Sequence, residues 1–134
     1  MTRSIARSIY LGGAWLLVVG AVVQVFLAGL GVFDDPSVFI THRDFGFMLE
    51  LLPIVMLVAA IIGRMGRGYI GGAVLLFVQF MMQSVFVAAR TDMPAIAALH
   101  PLNGFFILLV GLILGRSAWR DRRAPAGPTA QTGG

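Results

Sequence analysis

The sequence predicts an all-α protein that crosses a membrane as an up-down-up-down four-helix bundle. Of its 134 residues, 58% are hydrophobic and only 12% are charged, a composition outside the range of soluble domains. Four apolar stretches each reach the roughly 20 residues that a helix needs to cross a bilayer. The connections between them are short, which makes consecutive helices antiparallel neighbours. The two helical hairpins that result resemble each other and predict an internal pseudo-repeat.

The first apolar stretch is expected to remain part of the bundle. The four predicted spans are about 8–31, 43–63, 69–89 and 94–115. The apolar core of the first span is longer than the ~7–15 residues of a secretion signal. It also contains Gln24, which matches Gln83 in the third span. We therefore treat residues 1–123 as one four-span membrane domain.

Proline residues are expected to disturb the second and fourth spans. Pro53 and Pro101 lie inside these spans, and proline cannot donate the backbone hydrogen bond that links one helical turn to the next. Asp92 and Pro94 predict the start of the fourth helix, with the aspartate as its N-cap and the proline near its first position. The fourth helix should therefore begin well before His100.

Arginine residues predict the orientation of the chain in the membrane. They concentrate on one side of the spans, at positions 3, 7, 64, 67, 116, 120, 122 and 123. The positive-inside rule places this side, and with it both termini, in the cytoplasm, with the protein in a bacterial plasma membrane. The basic charge thus follows membrane topology, and the lipid bilayer rather than nucleic acid is the expected partner. Residues 124–134 are mostly Pro, Gly, Ala and Thr, which predicts a disordered cytoplasmic tail.

The pseudo-repeat is carried by a glutamine, a histidine and a glycine at matching places. In the first hairpin, His42 follows Gln24 by eighteen residues and Gly46 follows His42 by four. The second hairpin contains the equivalent residues Gln83, His100 and Gly104, with spacings of seventeen and four. These are the only two histidines in the chain. In the predicted bundle they lie on the second and fourth helices, which face each other diagonally.

Paired histidines on facing helices predict a shared ligand, and haem b is the expected one. Two facing imidazoles can supply both axial bonds to a haem iron. Gly46 and Gly104 lie one turn after each histidine on the same helix face, where the absence of a Cβ would let a flat macrocycle approach the backbone. Two other interpretations stay open. Both histidines could lie at the outer membrane surface, or they could bind zinc, although zinc needs three or four ligands and the chain has no cysteine.

Three further charged residues are candidates for roles at this site. Arg43 and Arg90 lie at the same membrane edge, where their guanidinium groups are suited either to haem propionates or to lipid headgroups. Glu50 is a carboxyl group within a span and could relay a proton. The glutamines of the spans are expected to form hydrogen bonds between helices.

The run from His42 to Gly46, His-Arg-Asp-Phe-Gly, resembles the His-Arg-x-x-Gly element of the haem A synthase family, with the glycine one residue later. That family consists of two fused four-helix bundles, each with paired histidines on its second and fourth helices. The resemblance covers residues 8–116, looks like one such bundle, and implies haem ligation by His42 and His100. The family's glutamate three residues before a histidine is replaced here by Phe39, so its hydroxylating activity is not expected. The segment 98–104, Ala-Leu-His-Pro-Leu-Asn-Gly, also resembles small uncharacterised four-span bacterial membrane proteins.

The leading functional prediction is a membrane b-type cytochrome that carries electrons or holds haem for another protein. Its partner would be a membrane redox protein or a larger complex, and catalysis of its own is not expected. The alternative is a structural or accessory membrane subunit that binds no cofactor. A small transporter is a third possibility, for which only the two prolines within spans argue.

Overall fold

The computed structural model describes residues 2–123, and the tail predicted for residues 124–134 lies outside this part. The described chain is all-α, as predicted. Its helices are α1 (Arg3–Phe33), α2 (Val38–Leu49), α3 (Leu51–Ile62), α4 (Arg67–Ala88), α5 (Pro94–Ala97) and α6 (Leu99–Arg123). Because α2 continues into α3 and α5 continues into α6, the six helices form four helical units. Each unit is long enough and apolar enough to cross a membrane. The protein is therefore a four-helix bundle of the membrane class.

Two single residues interrupt the second and fourth of these units. Glu50 separates α2 from α3, and Ala98 separates α5 from α6. Each interruption comes three residues before a proline, Pro53 or Pro101. Because proline has no N–H group, the carbonyl one turn before it loses its helical partner, and the regular hydrogen bonding ends there. The sequence predicted a disturbance by both prolines, and the interruptions lie at these places.

The N-cap of α5 differs by one residue from the prediction. Pro94 occupies the first helical position as expected, but the N-cap is Met93 rather than Asp92. The carbonyl of Met93 accepts the first hydrogen bonds of the helix, from the N–H groups of Ile96 and Ala97. The N–H of Met93 also donates to Ala89, which holds Met93 against the end of α4. Asp92 is exposed and does not cap the helix.

The helices contact their neighbours around a ring. The first helix, α1, packs against both α2 and α3 on one side and α6 on the other, while α4 packs against α3 and α6. Within residues 2–123, no Cα of α1 comes within 8 Å of one in α4, and none of α2 or α3 does so with α6. The side chains of Tyr10, Leu17, Met56 and Leu76 are fully buried in the centre. Burial of such side chains, rather than backbone contact across the ring, fills the middle of the bundle.

Leucine side chains of one helix pack directly against glycines of the next, which brings neighbouring helices close together. The Leu49 side chain lies where a Cβ on Gly20 would be, at the contact of α1 with α2. A Cβ on Gly72 of α4 would lie 2.6 Å from Cδ2 of Leu114 in α6. A methyl group added at either glycine would have to displace the leucine side chain, and small residues are what allow close packing in lipid.

Candidate functional site

The structure brings the two histidines together. His42 lies in the second turn of α2, and His100 is the second residue of α6. Their ring centres are 6.1 Å apart and their planes are inclined by 60°. Both side chains are partly buried. Since the backbones of α2 and α6 are not in contact, the two rings themselves span the space between these helices.

Each histidine is held by the backbone of a glutamine on the preceding long helix. Nδ1 of His42 lies 3.1 Å from the carbonyl oxygen of Gln24 in α1. Nδ1 of His100 lies 3.4 Å from the carbonyl oxygen of Gln83 in α4. A carbonyl can only accept, so Nδ1 of each ring is the protonated nitrogen and donates. In the neutral ring with this tautomer the lone pair is on Nε2, which is the form in which a histidine binds a metal.

The glutamine side chains lie beside the glycines that follow the histidines. A Cβ built on Gly46 would lie 2.7 Å from Nε2 of Gln24, and one on Gly104 would lie 3.5 Å from Nε2 of Gln83. Each glycine thus faces an amide group from the same glutamine whose carbonyl holds the histidine. The contacts in the two hairpins are of the same kind, although they are tighter at Gly46.

Asn103 is a polar residue of this layer for which the sequence suggested no role. It lies in α6, three residues after His100, and its Nδ2 donates to the carbonyl of Gln79 at 2.8 Å. The same Nδ2 donates to Oε1 of Gln83 at 3.1 Å. Its spacing could have indicated a role, because a residue three positions after His100 lies on the same face of the helix as that histidine. The corresponding residue three after His42 is the apolar Phe45.

Among the described residues, each hairpin contains one buried glutamine oxygen without a hydrogen-bond donor. Oε1 of Gln24 is buried and has no hydrogen-bond donor among the described residues, and the same holds for Oε1 of Gln79. Oε1 of Gln83, in contrast, receives the bond from Asn103. Buried acceptors without a partner are rare in proteins because they lose their hydration without replacement. This layer can therefore accept additional hydrogen bonds.

The two arginine candidates have hydrogen-bond partners of their own. Arg43 forms an ion pair with Asp44, with 2.7 Å between Nη2 and Oδ1, and both side chains are more than half exposed. Arg90 is exposed, and its Nη1 donates to the backbone carbonyl of Val87 at the end of α4. Glu50 is partly buried at the interruption between α2 and α3.

Comparison with known proteins gave one family. Residues 24–90 match the model of a family of unknown function, DUF6220. The chain belongs to the DUF6220 family. The part matched by the DUF6220 model contains His42 and Gln83 and ends before His100. Searches of curated proteins and of solved structures found no match.

The chemistry available to this DUF6220 protein is that of two imidazole rings whose centres are 6.1 Å apart. Within residues 2–123, no group of three or more His, Asp or Glu side chains could hold a metal ion. A zinc site, which requires three or four protein ligands, is therefore not formed by these side chains. Two histidines would be enough to hold a metal whose other ligands belong to a bound group.

Proposed function

We propose that this chain is a membrane protein that binds haem b through His42 and His100, for electron transfer or haem handling. The observation that carries the proposal is the 6.1 Å between the ring centres. A metal ion bound at ~2 Å by one nitrogen of each ring would fit between ring centres about 6 Å apart, so both His42 and His100 would hold it. When bound, haem would supply an iron that can gain and lose one electron.

The carbonyls of Gln24 and Gln83 would orient the ligands. By accepting from Nδ1, they fix the tautomer and the ring direction of each histidine. Such a second partner is usual for metal-binding histidines, and it makes Nε2 a better donor to the metal. Binding would then require little rearrangement of the two rings, so less of the binding energy would be lost in ordering them.

We further propose that the helices alternate in direction and that the two hairpins form a pseudo-repeat. Contacts at the end of the bundle away from the histidines support this order: the Arg7 Nε donates to the Gly63 carbonyl, and the Tyr69 hydroxyl donates to Asp121. These contacts join the start of α1, the end of α3, the start of α4 and the end of α6. The matching bonds of His42 and His100 support the pseudo-repeat. The arginine-rich end would face the cytoplasm of a bacterial cell.

Gly46 and Gly104 would lie along the edge of the macrocycle. The nearest groups beside them are the amide ends of the Gln24 and Gln83 side chains, which would have to move for the macrocycle to approach, with Gln83 giving up its bond from Asn103. Oε1 of Gln24, which has no donor among the described residues, would be able to accept a hydrogen bond from a water molecule in this layer.

Arg43 and Arg90 would be positioned to bind the haem propionates, although Arg43 would first have to break its ion pair with Asp44. Glu50, one turn after Gly46, would be the group able to hold a proton in the span.

A cofactor-free accessory subunit is the second candidate, and one observation favours it. The Gln24 amide lies so close to Gly46 that the first hairpin is fully packed at this point. In such a protein, the histidines would fix the bundle by their bonds to the glutamine carbonyls, and the surface of the bundle would pack against a larger complex.

The absorption spectrum separates the two candidates. The full chain would be expressed with an ample supply of haem and purified in detergent. The haem proposal predicts a Soret band, together with sharp α and β bands after reduction, at close to one haem per chain. If the purified protein has no Soret band and gains none when haem is added, the proposal is wrong and the accessory role is favoured.

A further inference from the structure

A second site lies at the other end of the bundle, where four arginines surround one cavity. The cavity has a volume of about 480 Å³ and opens among the start of α1, the turn between α3 and α4, and the end of α6. Arg3, Arg7, Arg64 and Arg122 line it, and Asp121 is the one carboxylate in its lining. Along α1, Arg3 lies about 30 Å from Gln24 at 1.5 Å per residue, so this site is separate from the histidines.

The charges of the four arginines are only partly compensated by the groups around them. Asp121, which also accepts a hydrogen bond from the Tyr69 hydroxyl at 2.5 Å, supplies one negative charge against four positive ones. Arg7 donates through Nε to the carbonyl of Gly63, a neutral group, so its terminal N–H groups and its charge stay available. Like charges held around one cavity repel each other, and an anion that enters the cavity removes this repulsion.

The backbone adds to this preference for an anion. Gly66, which also lines the cavity, is the N-cap of α4 and has no side chain to accept from the first N–H groups of the helix. Those N–H groups carry the positive end of the helix dipole. Ser4 and Ser8 line the same cavity and can donate hydrogen bonds to the oxygens of an anion. Arginine forks, hydroxyls and a free helix N-terminus are together the groups that bind phosphate.

We infer that this cavity binds the phosphate group of an anionic membrane lipid. The position favours a lipid over a soluble phosphate. Ile5, Ile9 and Ile62, on the helices that border the cavity, are exposed apolar side chains that could contact acyl chains. Basic pockets between helices at the cytoplasmic side of membrane proteins bind phosphate headgroups in this way. The site does not depend on haem binding.

The test measures binding of phosphatidylglycerol to the purified full chain by native mass spectrometry, with phosphatidylcholine as the neutral comparison. The variant is Arg3→Gln with Arg122→Gln. Its matched control is Arg67→Gln with Arg123→Gln, which removes the same charge from the same end but outside the cavity. The inference predicts preferential binding of phosphatidylglycerol, weakened about twentyfold in the first double variant and less than about threefold in the control.

Three results would overturn the inference. Equal binding of the two lipids would show that the cavity does not select an anion. An equal loss of affinity in the control would show general attraction by surface charge. Inorganic phosphate that binds the protein without lipid and displaces phosphatidylglycerol would assign the site to a soluble anion instead. Because arginines lining the cavity are exposed, helix content by circular dichroism should be unchanged in both variants.

Discussion

A Cβ atom on Gly46 would lie 2.7 Å from Nε2 of Gln24, so this glycine and this amide share one small space between α1 and α2. The equivalent space in the second hairpin is wider, with 3.5 Å between a Cβ on Gly104 and Nε2 of Gln83. The two glycines are thus alike in sequence and different in packing.

Alanine at these two glycines should have different effects on the stability of the haem-free protein. Alanine is favoured over glycine inside a helix by roughly 0.5–1 kcal/mol, and Gly104→Ala fits without a clash, so it should stabilise by about that amount. Gly46→Ala must displace the Gln24 amide, and this cost should cancel the gain or exceed it by ~1 kcal/mol. Thermal unfolding in detergent measures both. Equal shifts for the two variants would contradict the packing difference.

Haem binding should require both histidines. We expect His42→Ala and His100→Ala each to abolish the low-spin spectrum, because each removes one of only two axial ligands. Reduced and oxidised absorption spectra of the purified variants provide the measurement. Tyr69→Phe, at the opposite end of the bundle, is the control and should keep the wild-type spectrum. A low-spin spectrum that persists in either histidine variant would mean that another residue is the ligand.

Asn103 should contribute measurably to the stability of the bundle. Its Nδ2 joins α6 to two groups of α4, and Asn103→Ala leaves Oε1 of Gln83 without this donor. Because hydrogen bonds between helices in membranes are each worth about 0.6 kcal/mol, we expect a loss of about 0.5–1.5 kcal/mol. Ser84→Ala, on the exposed face of α4, should change stability by less than ~0.5 kcal/mol. Similar effects of both variants in a denaturation experiment would exclude a special role for Asn103.

Removing the hydroxyl group should destabilise the protein more at Tyr10 than at Tyr69, although the two rings are in contact. Tyr10 is fully buried, and its hydroxyl donates to the Tyr69 carbonyl at 3.0 Å. Tyr10→Phe leaves that oxygen without this donor and should cost about 1 kcal/mol. Tyr69→Phe removes only a bond to the exposed Asp121, which solvent can replace, and should cost less than about half of that. Unfolding midpoints in detergent would show the order, and a larger effect at Tyr69 would contradict it.

Cysteine labelling should reveal the orientation of the chain, which has no native cysteine. Asp34→Cys lies in the exposed connection between α1 and α2, and Gly66→Cys lies in the turn before α4. Because the arginine-rich end is predicted to be cytoplasmic, an impermeant thiol reagent should label Asp34→Cys in intact cells. It should label Gly66→Cys only after permeabilisation. The reverse result would place the histidine end in the cytoplasm.

Most of the helical framework could be predicted from the sequence because the determining forces are local. Four runs of apolar residues are long enough to span a bilayer in any arrangement of the helices. Pro53 and Pro101 lack an N–H group whatever surrounds them, so both interruptions could be anticipated. The start of α5 at Pro94 agrees with the prediction, but its N-cap was missed by one residue because Met93 is held by Ala89, and the competition between neighbouring N-cap residues depends on such contacts.

The sequence by itself predicted that Gln24, His42 and Gly46 correspond to Gln83, His100 and Gly104, since spacing along a helix fixes height and face. The tertiary structure alone decided the distances across the bundle, because these depend on how each helix is rotated and packed against its neighbours. The 6.1 Å between His42 and His100 is one such distance. The tertiary structure also decided the hydrogen bond from Asn103 to Gln83. The first hairpin has Phe45 at the position of Asn103, and Oε1 of Gln24 has no donor among the described residues. The cavity lined by arginines was also decided only by the tertiary structure, because its residues lie far apart in the chain and meet only where the ends of three helices converge.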